Sequence, residues 1–180
     1  MTTWVALLYS VVLGPGKRVV MADLRELAAS VGLENPRTVV ATGNLVFETP
    51  QRHTARHLTR RIESAVASRF GRDIDVILRN AAGWRRLLDN NPFPDASRHD
   101  ASHVTVRIMR DPIAEPAFDR LDAYRRGDER IEVVGGDIWL YFPHGIAKSK
   151  LAAALTPRRA GGAGTVRNWN TLLRIAAVLQ

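Results

Sequence analysis

Two short stretches near the C-terminus carry residue types that binding chemistry needs. GTVRNWNT, from Gly164 to Thr171, sets an arginine beside two asparagines and a threonine, and HGIAKSKL, from His144 to Leu151, places Ser149 between Lys148 and Lys150. In the first, Asn168 suits a helix N-cap, its side-chain oxygen accepting from the backbone N–H of Asn170 or Thr171. At about 100° per residue, Arg167, Asn170, Thr171 and Arg174 share a polar face opposite an apolar stripe of Trp169, Leu172, Leu173, Ala176 and Leu179. Free N–H groups, the helix dipole and Arg167 would together hold an anion there. A capped amphipathic helix with a core tryptophan accounts for the same residues without a ligand. In the second stretch, Gly145 precedes a helix whose first turns carry Lys148, Ser149 and Lys150. Lysines in a first turn oppose the macrodipole, so they point to a phosphate or an acidic partner, with solvated surface lysines as the competing reading.

No catalytic group is assigned by the rest of the chain. GPGKR, from Gly14 to Arg18, lacks the GxxxxGK[ST] of a phosphate loop and the three glycines of a dinucleotide fingerprint, and reads as a turn. His53 and His57 share a helical face without a third ligand, and His99 and His103 with Asp95 and Asp100 make an equally thin metal case. Cysteine is absent, which excludes disulfides, thiolate zinc sites and cysteine nucleophiles. No metal and no cofactor are expected.

Net charge is +8, but 23 of the 26 basic residues are Arg, a skew that genome composition alone can produce. The distribution says more. The last acid is Asp137, and beyond it Lys148, Lys150, Arg158, Arg159, Arg167 and Arg174 stand uncompensated, a one-signed field for phosphates or acidic partners. A second basic stretch, Arg52 to Arg86, reads mostly as the wet face of a helix. The opening MTTWVALLYSVVLGPG is apolar without a basic leader and nothing approaches a membrane span, so a cytoplasmic protein with no membrane partner is expected.

The elements that must position these residues follow from periodicity. TWVALLYSVV reads as a strand, MADLRELAASVG as a helix, RTVVATGNLVFETP as two strands around Gly43-Asn44, HTARHLTRRIESAVASRF as a helix and IDVILR as a strand. The second half repeats the order. After AAGWRRLLDNN and the stop NPFP come the strand HVTVRIMR and a helix from near Pro116. A hairpin around Gly135-Gly136, the helix IAKSKLAAAL, the glycine-rich connector TPRRAGGAGT and a final helix complete it. The expected fold is α+β: two β-α-β-β-α units of the ferredoxin-like split β-α-β type with antiparallel hairpins, plus a C-terminal helix. Residues 1–80 form the first repeat and 81–180 the second, the latter with the linking and C-terminal helices.

The ordered set LLYSVVLGPGKR, TVVATGNLVFE, NPFP with HVTVR, LYFPHGIAKSKL and GTVRNWNTLLRIA resembles the bacterial family known as domain of unknown function 1697, over nearly the whole chain. That family reads closer to LLRGINVGG in the first loop, so Tyr9, Ser10 and Val12 replace its Arg, Gly and Asn. The resemblance implies paired α/β repeats and no established activity.

Two functions remain open. One is an anion-binding module for nucleic acid or another polyanion on the basic C-terminal region, with Phe47, Trp139 and Tyr141 as candidates for stacking on bases. The other is an enzyme or sensor for a small phosphorylated or carboxylated ligand held where the repeats meet, near Arg167, Asn168 and Lys148. The sequence assigns no oligomeric state.

Overall fold

In the computed structural model, which describes residues 1–179, the chain is mixed α/β with antiparallel sheets. It divides into two compact units, one made of Met1–Arg85 with the chain end from Arg174, the other of Arg86–Leu173.

The first unit opens with β1 (Thr2–Leu8), followed by a small ribbon of β2 (Val12–Gly14) and β3 (Lys17–Arg18), then α1 (Met21–Ser30). β4 (Glu34–Val39) and β5 (Asn44–Thr49) form a hairpin, α2 (Ala55–Phe70) crosses, and β6 (Val76–Asn80) closes a sheet of order β4-β5-β1-β6. Leu24, Leu27 and Ala28 of α1 and Leu58, Ile62 and Val66 of α2 are buried at helical spacing with Ala6, Leu8, Leu45 and Phe47 of the strands. Thr54 caps α2 by accepting from His57 N–H, and Gly71 in the left-handed region ends it.

After α3 (Ala81–Asp89), which runs from the first unit into the second, and α4 (Pro94–His99), the second unit builds on β7 (Val104–Met109). α5 (Glu115–Asp122), β8 (Arg130–Val134), β9 (Asp137–Tyr141), the short α6 (Lys150–Ala154) and α7 (Pro157–Ala160), β10 (Gly164–Asn168) and α8 (Trp169–Ala176) complete the chain. The sheet order is β10-β7-β9-β8. Its core sets Ile138, Leu140 and Phe142 against Leu121 of α5 and Leu151 and Ala154 of α6.

Three sequence expectations need correction. Gly164–Asn168 is a strand rather than the end of a connector, because pairing with β7 (Arg167 opposite Val106, Asn168 opposite Thr105) carries the strand through Gly164 and Asn168, two residue types that disfavour it. The helix expected over IAKSKLAAAL starts only at Lys150: Ser149 is its N-cap, accepting from Ala152 N–H at 3.0 Å, and Lys148 precedes it. In the first hairpin Gly43 takes positive φ, whereas Asn44 is a buried strand residue opposite Leu7 whose Nδ2 donates to the Val39 carbonyl.

The second hairpin turns on two residues of positive φ, Gly135 and Gly136, between the paired Val134 and Asp137, the geometry that the strand twist favours. A Cβ on Gly136 would stand 2.6 Å from Pro112 Cβ and 2.9 Å from its Cα, whereas one on Gly135 would meet nothing within 4 Å. Gly135→Ala should therefore cost about 1 kcal/mol for its backbone conformation alone, and Gly136→Ala at least about 1 kcal/mol more. Urea unfolding of the two variants checks this; equal losses would show that Pro112 yields without cost.

Candidate functional site

The structure separates the eight residues of the two motifs by what they do. Arg167 lies on β10, not on the helix, and is only 8% exposed. Its Nη1 donates to Thr165 Oγ1 at 2.7 Å and to the Val166 carbonyl at 2.9 Å. Burial lowers its guanidinium to about 10. A base whose folded value falls below its unfolded value holds its charge at a cost throughout the neutral range, and stability rises only as pH climbs past about 10. Two of its bonds are thus spent inside the protein.

Asn168 caps α8, its Oδ1 accepting from Thr171 N–H at 2.9 Å, which brings Asn168 and Thr171 together. Asn170 and Arg174 are exposed, and Arg174 belongs to the first unit while Arg167 to Thr171 belong to the second. The buried stripe of α8 is Leu172 and Ile175, continued by Leu179; Leu173 is exposed, and Trp169 is half-buried with its ring 6.0 Å from that of Trp139. Lys148 and Lys150 are exposed, and the Ser149 hydroxyl is occupied by its cap. Phe47 and Trp139 are fully buried and Tyr141 lies under the Arg130 guanidinium at 4.8 Å, so none of the three offers a bare ring to a base.

What the motifs did not show is a groove of about 820 Å³ in the second unit, lined by Arg120, Tyr124, Arg126, Thr156, Arg158 and Arg159 with Ala123. Its lining holds no acidic residue. Arg120 stands on α5, Tyr124 and Arg126 on the turn after it, and Arg158 and Arg159 on α7. The Arg159 guanidinium lies 5.0 Å from the Tyr124 ring centroid, a cation–π contact that fixes its plane. Arg126 Nη1 donates to the carbonyls of Ala123 and Arg125, capping the end of α5. Neither Arg120 nor Arg158 has a hydrogen bond or ion pair among the described residues, and both are exposed.

A buried arginine holds this wall in place. Arg107 of β7, 1% exposed, donates through Nη1 to the Leu155 carbonyl at 3.0 Å and through Nη2 to the Gly162 carbonyl at 3.2 Å. Those carbonyls bracket α7, so one side chain clamps both ends of the segment that presents Arg158 and Arg159. Position in an apolar strand, VTVRIM, was the only sequence signal for Arg107. In the first unit a second pocket of about 610 Å³ opens beside the first loop, where Tyr9 and Ser10 meet Ser64, Arg72, Asp73 and Asp75.

The family model for Protein of unknown function (DUF1697) matches residues 1–139. No curated protein of assigned function matches in sequence. Among solved structures the fold is similar to that of the conserved bacterial protein SP0830 from Streptococcus pneumoniae, at 18% identity and a TM-score of 0.79 over 99% of each chain. At that identity the likeness concerns the fold alone.

If Arg167 is structural, Arg167→Ala should lower unfolding stability by about 2–4 kcal/mol, combining a cavity with lost hydrogen bonds. Arg174→Ala, at an exposed position, should change it by less than about 0.5 kcal/mol. Denaturant midpoints measure both; an unaffected Arg167→Ala would return that residue to the candidates for ligand binding.

Proposed function

We propose that this chain, which belongs to the DUF1697 family of proteins of unknown function, is an anion-binding module that takes nucleic acid or another phosphate-bearing polyanion on the basic C-terminal region of its second unit. One observation carries the reading: four arginines from two separate helical segments line a single groove with no carboxylate among them. Like charges cost about 1 kcal/mol per pair at 4 Å even in water, and an anion in the groove turns that repulsion into attraction. Guanidinium groups present forked donors that match phosphate oxygens two at a time. The volume of about 820 Å³ accommodates a nucleotide-sized portion of such a ligand. Lys148 and Lys150, exposed on the same unit, extend the positive surface.

The same reading includes a finer view of the fold. Counting strands within each unit, the sheets run 2-3-1-4 and 4-1-3-2, one order read from opposite edges. This supports a duplicated ferredoxin-like split β-α-β arrangement. A cytoplasmic location, where nucleic acid is at hand, belongs to the proposal as well; no helix among the described residues is long and apolar enough to cross a membrane.

Fluorescence anisotropy with a labelled single-stranded RNA tests it. Affinity should fall steeply with salt, and Arg158→Ala combined with Arg159→Ala should weaken binding at least about tenfold and flatten the salt slope by about 1 per lost contact, with the fold intact by circular dichroism. Lys148→Ala with Lys150→Ala should have the smaller effect. Absence of binding at low salt, or binding indifferent to the arginine pair, overturns the proposal.

A further inference from the structure

The turn between α4 and β7 holds an arrangement that the groove does not use. Asp100 follows α4, its carbonyl accepts from His103 N–H at 3.0 Å, and this turn brings Asp100 Oδ2 to 2.9 Å from His103 Nδ1. An ionised carboxylate can only accept, so the ring proton sits on Nδ1 and the lone pair on Nε2. The Tyr141 hydroxyl donates to the same Oδ2 at 3.3 Å. Burial, then the Asp100 charge, raises the Tyr141 phenol above its usual range, so it remains a donor at neutral pH. The carboxylate is thereby held from two sides and the imidazole keeps one tautomer and one orientation.

Nε2 faces an approach left open by backbone. The His103 side chain is 37% exposed, and Nε2 makes no hydrogen bond among the described residues. In front of it runs Gly145, at φ +81, where a Cβ would stand 3.7 Å from Nε2. A larger residue at 145 would strain the backbone and set its Cβ in van der Waals contact with the nitrogen.

One loop ties this base to the arginine groove. Arg126 lines the groove, and Asp128, two residues on and within about 7 Å of chain, pairs with His144 Nε2 at 3.3 Å. His144 adjoins Gly145, so residues in contact or adjoining in sequence run from the groove residue Arg126 to His103.

We propose that the second unit cleaves RNA, with His103 Nε2 as the general base for a ribose 2′-hydroxyl and with Asp100 and Tyr141 as positioning residues. The proposal rests on the anion-binding reading above. The 2′-oxygen bonds to the adjacent phosphorus as its proton passes to Nε2, and the bond from phosphorus to the 5′-oxygen breaks. The departing 5′-oxygen takes a proton from water, and the hydroxide left behind removes the proton from the imidazolium. The products are a 2′,3′-cyclic phosphate and a 5′-hydroxyl. DNA of the same sequence lacks the nucleophile, so it binds without being cut.

The experiment uses the purified full chain with end-labelled RNA and DNA of one sequence, reading binding by anisotropy and cleavage on denaturing gels. Both strands should bind, and only RNA should be cut, to those ends. His103→Gln, purified in parallel, should lose at least about a hundredfold in kcat, the range of a general base, with RNA affinity and unfolding midpoint unchanged. Asp100→Asn should lower kcat with KM unchanged, a division that a merely structural role would not produce. RNA bound but uncut, or cut equally by His103→Gln, overturns the cleavage proposal and leaves the anion reading standing. Failure of both strands to bind at low salt overturns the two together.

Discussion

The first strand of each unit is an interior strand, and this placement constrains everything else. β1 lies between β5 and β6, and β7 between β9 and β10. Every residue of β7 is buried, as are Trp4 to Leu8 of β1. Backbone N–H and C=O groups in such a strand have no water to bond, so a neighbour must be supplied on each side. One neighbour comes from a hairpin, the other from the last strand of the unit. That demand explains why Gly164–Asn168 becomes β10 although Gly164 and Asn168 are residue types that disfavour a strand. It also accounts for Asp137, whose buried Oδ1 accepts from Met109 N–H at 2.8 Å just where the β7 ladder ends.

The same burial sorts the arginines. Arg107 and Arg167 stand on interior or adjoining strands and spend their donors on carbonyls and a hydroxyl within the protein. Arg120, Arg158 and Arg159 on helices and Arg126 just beyond α5 stand at the surface and converge on one groove. All six contribute equally to a net charge of +8. Of these six, the second group faces a ligand, with Arg107 acting through it: it holds the ends of α7 and so the direction of two groove arginines.

Legibility followed the range of the forces. α1 and α2 were readable because Leu24, Leu27 and Ala28, or Leu58, Ile62 and Val66, repeat at the period of the helix itself. The Gly135-Gly136 turn was readable because positive φ is a local demand. Asn168 as a cap was readable for the same reason, since its partner is three residues away. Arg167 was misplaced on a helical face: two residues before the helix, its environment is set by Val106 across the sheet. The groove was half visible, as Arg158 and Arg159 in an acid-free tail; Arg120 and Arg126, on and beyond α5 with acids nearby in sequence, carried no such signal.

The sequence by itself determined the two large helices of the first unit, the Gly135-Gly136 turn, the Asn168 cap and the positive sign of the C-terminal field, because each depends on spacing within a few residues or on composition. Only the tertiary structure decided which cations face solvent together and which are consumed inside, and which histidine stands beside a carboxylate that a tyrosine also holds. The cation arrangement follows from pairing and packing between segments far apart in the chain, as when Arg107 reaches the carbonyl of Leu155. His103 and Asp100, though three residues apart, needed the folded turn, the Tyr141 hydroxyl from β9 and the bare backbone of Gly145 to become a pair with an open side.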